Sequence, residues 1–242
     1  MLKALQNSLL SVIYPQQCRI CSRQVIGLDG GVACASCWAS SHTFDGSEML
    51  CDRCGALLGK TASSSPVFCR RCDSHDYDKA AAVGVYDVAM AAVVLELKRV
   101  PHIPRHLIGL IQARFVGSEM SLSDLIMPVP LSRQRTHERG FNQAEVIADQ
   151  LARFTGNDID RASLIRRVHT PTHRIGMDQR ARELTVVNAF NVVRPKLVKG
   201  KTIVLVDDIF TSGATASACA KVLKKNGAGR VNVFTLARAI MH

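Results

Sequence analysis

Two groups of residues in this chain have types and spacings that could do chemistry. The first is cysteine. Eight of the nine cysteines form four Cys-x-x-Cys pairs: Cys18/Cys21, Cys34/Cys37, Cys51/Cys54 and Cys69/Cys72. Zinc takes four soft ligands in a tetrahedron. One Cys-x-x-Cys knuckle supplies two from a tight turn, and a second knuckle across a short hairpin completes the set. Twelve residues separate the first two pairs and fourteen the last two, so two structural zinc sites are expected. Sequential pairing (Cys18/Cys21/Cys34/Cys37 and Cys51/Cys54/Cys69/Cys72) and an interleaved cross-brace both satisfy the spacing. With every position filled, such a site leaves none open for substrate. Gly55 after Cys54 suits a turn needing positive φ. No βαβ pattern surrounds the pairs, which argues against a redox motif, and disulfides would need an oxidising compartment. Trp38, His42 and His75 are read as loop and packing residues before alternative ligands or nucleic-acid contacts. Cys219 lies in an apolar helical stretch and is read as core.

The second group is Ile203-Val204-Leu205-Val206-Asp207-Asp208-Ile209-Phe210-Thr211-Ser212-Gly213-Ala214-Thr215. Four apolar residues make a central strand, and two acids follow at its C-terminal end, where open α/β sheets bind ligands. The loop Thr211–Thr215 can aim backbone N–H groups at a phosphate, with a helix N-terminus behind it. Thr211, Ser212 and Thr215 add hydroxyl donors, and Gly213 allows close backbone approach. Paired carboxylates suit a polyol, since each accepts hydrogen bonds from neighbouring ribose hydroxyls.

These residues need elements to position them. Strands are expected at Ala80–Tyr86, Leu125–Val129, Ser163–Val168, Ala189–Val193, Lys201–Val206 and Val231–Ala237. Helices are expected from Asp87 to Lys98, Arg105 to Val116, Phe141 to Phe154 and Ala214 to Asn226. Strands alternating with helices point to an α/β fold, a parallel-rich sheet covered on both faces. The cysteine-rich segment, 1–78, is expected to be a small separate domain before the larger one, 79–242. It has few large apolar residues, so metal is expected to supply much of its folding free energy.

Hydrophobic residues make up 47% of the 242-residue chain, enough for a buried core. Charge is uneven. Residues 1–78 carry seven Lys/Arg and seven Asp/Glu, whereas residues 79–242 carry 24 and 13, the whole net +11. That bias favours anionic partners: phosphates, nucleotides or single-stranded DNA. Arg166, Arg167, His169, His173 and Arg174 are a candidate anion-binding stretch. Aromatic residues are only 5%, so stacking platforms are expected to be few. No stretch is long and apolar enough to span a bilayer. Met1–Pro15 lacks the marks of a signal peptide, so a cytoplasmic location is expected.

The thirteen residues from Ile203 to Thr215 resemble the signature of type I phosphoribosyltransferases for 5-phosphoribosyl 1-pyrophosphate (PRPP). Pro128-Val129-Pro130-Leu131-Ser132-Arg133, followed by Arg139-Gly140-Phe141-Asn142-Gln143-Ala144, is similar to the pyrophosphate loop and following helix of the ComF family. These competence-associated proteins join cysteine-rich zinc ribbons to a phosphoribosyltransferase domain, and the resemblance covers nearly the whole chain in the same order. It implies a type I phosphoribosyltransferase fold preceded by a double zinc ribbon. It implies that Asp207 and Asp208 hold the ribose hydroxyls, that Thr211, Ser212, Gly213, Ala214 and Thr215 hold the 5′-phosphate, and that Leu131, Ser132 and Arg133 hold pyrophosphate with Mg2+. Lys98 matches a Leu-Lys position of the family. In the family's flexible loop this chain keeps Arg182 and Ala189-Phe190 but has His173 where Gln is expected and Thr185 where Asn is expected. The resemblance therefore carries PRPP binding further than turnover. It also implies a role in DNA uptake or use, with single-stranded DNA and competence or DNA-processing proteins as partners. Two readings follow: a phosphoribosyltransferase of unknown acceptor, or a non-catalytic DNA-binding or protein-interaction module.

Overall fold

The structure, a computed structural model, describes residues 16–25, 31–167 and 189–240. Two small ribbons come first. The first has strands β1 (Gln16–Gln17) and β2 (Gln24–Val25), paired antiparallel, and helix α1 (Ala35–Ala39). The second has strands β3 (Met49–Leu50) and β4 (Leu57–Gly59), also antiparallel, and a single 3-10 turn at Arg70–Cys72.

The larger part begins with β5 (Lys79–Val85), α2 (Val88–Leu97), α3 (Arg105–Val116) and β6 (Leu125–Pro128). Next come α4 (Arg133–Arg139), α5 (Gln143–Thr155) and β7 (Asp158–Ile159). An antiparallel pair, β8 (Leu164–Arg166) and β9 (Phe190–Val192), precedes α6 (Pro195–Val198). The chain closes with β10 (Thr202–Phe210), α7 (Ala214–Lys225) and β11 (Arg230–Arg238). Five strands form one sheet in the order β5-β11-β10-β6-β7, and every pairing in it is parallel.

Strand β10 is central because Ile203, Val204, Leu205 and Val206 are all fully buried. A strand covered on both faces reads as a continuous apolar run. Alternate side chains leave it in opposite directions. Val204 and Val206 join a core with α2, α3 and α5, while Ile203 and Leu205 join one with α7. On α7 the buried residues Ala216, Cys219, Ala220 and Leu223 recur at helical spacing and make one apolar stripe. Cys219 is core, as its setting suggested.

Helix α5 starts two residues later than the apolar pattern implies, at Gln143. The Asn142 side chain caps it, accepting from the Ala144 N–H at 3.1 Å. Strand β10 runs further than Lys201–Val206. Pairing with β11 continues past the acids, with Asp207 opposite Thr235 and Phe210 opposite Arg238. Helix α4 gave no apolar signal because none of its residues is buried.

The cysteine-rich part is not held by metal alone. Trp38, Phe44 and Tyr77 are buried, and Trp38 and Tyr77 belong to cores shared with the sheet and its helices. Thr43 forms a bridge to Gly84 of β5, and the Val85 N–H donates to the His42 carbonyl at 2.8 Å. The ribbons thus supply walls to the larger part.

Candidate functional site

Two loops leave neighbouring strands toward opposite faces of the sheet. After β6 the chain goes to α5, which packs on one face, and after β10 it goes to α7 on the other. Between such strands the C-terminal ends open into a crevice. The Val129 N–H donates to the Val206 carbonyl at 2.9 Å, so the segment 130–133 starts beside Asp207 and Asp208.

The acids lie at the head of this crevice. Asp207 accepts from the Asp208 N–H at 2.9 Å. Burial, then the neighbouring charge of Asp208, pushes the Asp207 carboxyl well above the ordinary carboxylate range. Lys98, the residue that caps α2, places Nζ 3.8 Å from Asp208 Oδ2. Its positive charge pulls the Asp207 carboxyl down, against the larger effect of burial. On the other face Cys219 lies near enough to feel Asp207: burial, then that charge, raises its thiol. Two adjacent carboxylates held partly out of water, with one lysine near Asp208, form an acceptor for hydroxyl donors.

The loop after β10 enters α7 through Gly213, whose φ is +81°. A Cβ there would lie 2.7 Å from Phe210 Cζ and 2.9 Å from His75 Cε1. Gly213 is needed for that left-handed turn and for packing against Phe210 and His75. This adds a reason to the close backbone approach expected from sequence. The Ser217 hydroxyl accepts from the Asp76 N–H at 3.0 Å and donates to Asp76 Oδ2 at 3.1 Å. The loop and the helix start are therefore braced by the second ribbon.

Of the three residues expected at pyrophosphate, Leu131 and Arg133 border an open hollow with Thr136, His137 and Gly140. Ser132 is buried and turns inward, accepting from the Arg135 N–H at 3.4 Å to cap α4. The Arg-Gly-Phe-Asn-Gln-Ala run is explained by local bonding. Asn142 donates to the Val129 carbonyl at 3.0 Å, and Arg139 donates to Gln143 Oε1 at 2.6 Å. In the candidate anion-binding stretch Arg166 stacks over Phe190 at 5.3 Å. His169, His173, Arg174, Arg182 and Thr185 lie outside the described residues.

The eight cysteines gather into two clusters, Cys18/Cys21/Cys34/Cys37 and Cys51/Cys54/Cys69/Cys72, with the four Sγ atoms of each within 4.8 Å of one another. The pairing is sequential. Contacts of 3.6 Å (Cys21 to Cys34), 3.7 Å (Cys51 to Cys72) and 3.5 Å (Cys54 to Cys69) are close to the edge of a tetrahedron with Zn–S bonds. For bonds of about 2.3 Å that edge is about 3.8 Å. The Ser36 hydroxyl beside Cys34, 3.1 Å away, is the largest cause lowering that thiol to about 6, while burial pushes Cys37 up to about 12. Four packed thiols cannot all ionise by themselves, whereas a divalent cation among them favours the thiolates. Both clusters fit structural zinc. Gly55, at φ +68°, turns the Cys51/Cys54 knuckle, and a Cβ there would lie 2.8 Å from the Ala80 carbonyl oxygen.

Sequence reasoning missed one residue. Arg238, at the end of β11, lays its guanidinium 4.4 Å from the Phe210 ring centroid. It also donates to the Cys54 carbonyl and lies 3.4 Å from Cys54 Sγ. It ties the second cysteine cluster to Phe210, at the base of the loop that enters α7. No local signal marks it, because both partners are far away in the chain.

Comparison with known proteins agrees with this geometry. A double zinc ribbon domain model matches residues 9–73, and a phosphoribosyl transferase domain model matches residues 137–240. The DNA utilization protein YhgH of Escherichia coli (strain K12) is 30% identical over 234 residues, 93% of this chain and 98% of the relative. This chain belongs to the ComF family. Competence protein F of Haemophilus influenzae is 30% identical over 217 residues, 85% of this chain and 90% of its own. Competence protein ComFC of Bacillus subtilis is 32% identical over 120 residues, 48% of this chain and 45% of its own. As a ComF-family member the chain has a phosphoribosyltransferase-type parallel sheet preceded by a cysteine-rich double ribbon. Among the described residues no helix is long and apolar enough to cross a membrane.

Proposed function

We propose that this ComF-family chain binds PRPP in the crevice at the C-terminal ends of β6 and β10. One observation carries the reading: Asp207 and Asp208 stand near the C-terminal end of the central parallel strand β10, a few residues before a loop that turns into α7. Asp207 and Asp208 would accept from the ribose hydroxyls, and the Thr211–Thr215 segment would hold the 5′-phosphate at the helix start. Leu131 and Arg133 would border the pyrophosphate, which would arrive with Mg2+. If transfer follows, the bond from C1 of the ribose to pyrophosphate breaks as an acceptor adds at C1. Mg2+ and Arg133 would then meet the leaving group's charge. The role suggested by the names of the relatives is DNA use or competence. The competing reading is a non-catalytic single-stranded DNA-binding or protein-interaction module built on the same fold.

Calorimetry with PRPP and Mg2+ tests the site. Asp207→Asn with Asp208→Asn keeps shape and removes charged acceptors, each bond being about 1.5–3 kcal/mol. Affinity is expected to fall at least tenfold in a folded variant, and unchanged affinity would show that PRPP sits elsewhere. Pyrophosphate release from labelled PRPP, with and without acceptors, separates enzyme from binder.

A further inference from the structure

Two carboxylates that serve one ribose diol repel each other. Asp207 feels that repulsion: after burial, the Asp208 charge is the largest cause raising its carboxyl. Burial also strengthens the repulsion, because less water screens it. Tyr86, just after β5, gives no relief, being raised by burial and then by the Asp208 charge. Cys219 of α7 is likewise raised by burial and then by Asp207. Arg166 of β8 acts on Cys219 and stacks over Phe190. From the end of α2, Lys98 reaches the pair itself. Its Nζ lies 3.8 Å from Asp208 Oδ2, and its charge lowers Asp207.

A lysine at a helix C-terminus has an ordinary use, since it offsets the partial negative charge of that end. That accounts for Lys98 as the cap of α2. It does not account for where the ammonium goes. Glu96, two residues earlier, is engaged by Arg19 of the first ribbon at 3.0 Å. The Lys98 side chain runs instead to the acids near the end of β10, where it is 30% exposed and Asp208 17% exposed. At 3.8 Å the contact is an attraction between charges, longer than a hydrogen bond. It therefore holds the Asp208 carboxylate while leaving its oxygens open to hydroxyl donors.

We propose that Lys98 is a positioning residue of the ribose site: its ammonium offsets the repulsion between Asp207 and Asp208, so that both carboxylates converge on one diol. Lys98 acts through the acids and bonds neither the ribose nor a phosphate. The inference rests on the PRPP reading and adds the group that makes the acid pair usable near neutral pH. Without the ammonium, Asp207 titrates at a higher pH. A hydroxyl that donates to Asp207 needs the carboxylate, so acidification then abolishes binding sooner.

The test uses the full chain, zinc-loaded, and calorimetry with PRPP and Mg2+ across a pH series. Lys98→Met keeps the side chain's length and removes its charge. It is expected to weaken PRPP binding roughly tenfold at neutral pH, the scale of one charge-assisted contact. The loss of affinity on acidification should begin about one pH unit higher than in the parent. Lys98→Arg should return the parent's profile. A lysine that only caps α2 would change the melting temperature and leave that profile where it was. Ribose 5-phosphate should lose affinity in Lys98→Met as PRPP does, whereas pyrophosphate with Mg2+, which has no diol, should bind as to the parent. In an Asp208→Asn background, adding Lys98→Met should cost no more than about twofold, because the repulsion is already gone. Carbon-13 titration of the Asp207 carboxyl in the ligand-free chain should move up in Lys98→Met, whatever the ligand. An unmoved pH profile or carboxyl titration in folded Lys98→Met, an equal loss for pyrophosphate, or the full loss in the Asp208→Asn background would overturn the role of Lys98 alone. A parent chain that does not bind PRPP, or binds it equally with both acids changed to Asn, would overturn the PRPP reading and this role with it.

Discussion

The first ribbon presses Trp38 against His106 of α3, ring centroids 4.6 Å apart, and sends Arg19 to Glu96 of α2 at 3.0 Å. Those partners belong to the helical layer, away from the phosphate loop. The second ribbon is built from the same parts but attaches elsewhere. Cys54 holds Arg238 over Phe210, His75 walls Gly213, and Asp76 bonds Ser217. Tyr77 is buried edge-on against Phe210, 5.8 Å between centroids. The Lys224 ammonium meets Asp78 at 2.8 Å at the far end of α7. Two four-cysteine clusters of one design thus have different consequences. One packs against a helix pair, and the other braces the loop that enters α7.

The largest expected effect comes from removing one metal at a time. Cys51→Ser should lose the second zinc, release Arg238 from Cys54 and lower PRPP affinity by about a hundredfold, or about 2.7 kcal/mol. Cys21→Ser should lose the first zinc and leave affinity within a few-fold, while lowering the melting temperature. Elemental analysis should find about two zinc ions per parent chain and about one in each variant. Calorimetry with PRPP then decides, and equal losses of affinity in both variants would break the comparison.

A pair of packing variants sharpens the contrast. Trp38→Ala empties a buried aromatic site and should destabilise by about 3–5 kcal/mol, seen by urea unfolding, with little change in ligand affinity. Gly213→Ala puts a methyl group against Phe210 and His75 at a left-handed turn. It should destabilise by about 1–3 kcal/mol and weaken phosphate binding in the same protein. If Gly213→Ala binds like the parent, the second ribbon does not shape the loop.

The smallest effect is a pH dependence. The folded protein raises Asp207 above its unfolded value of about 3.9, chiefly by burial. Ionised Asp207 therefore opposes folding at pH values above its native titration, and the penalty disappears once both states are protonated. Asp207→Asn should melt a few degrees above the parent at pH 7–8. The two should converge as pH falls toward about 4, on the scale of about 2–4 °C per kcal/mol. A gap that stays constant with pH would mean the carboxylate is not the source.

Much of this was legible in the chain because the signals are local. Four knuckles at short spacing announce two four-cysteine clusters, and an apolar run followed by two acids announces a central strand carrying carboxylates near its end. The Leu-Lys position at Lys98 was legible as a resemblance, and the fold places its Nζ 3.8 Å from Asp208 Oδ2. The segment lengths of α3 and α7 followed from apolar periodicity. Which knuckles share a metal was open, since both pairings use the same eight thiols, and only the fold of each hairpin made it sequential. Periodicity missed α4, because a helix with no buried residue has no apolar stripe to reveal it.

What only the tertiary structure decided is how the cysteine-rich segment meets the rest. Composition described a piece with little core of its own, and that remains true of it in isolation. Burial, however, is a property of pairs of surfaces. Trp38 and Tyr77 find their partners in α3 and β10, many residues away, and Arg238 reaches Cys54 across 184 positions. No spacing rule reports contacts at that separation. The sequence by itself determined the ligands, the strand, the acids and the loop. The fold decided that one metal cluster stands behind that loop and the other does not, because only the packing of the sheet brings β11, β10 and the second ribbon to one place.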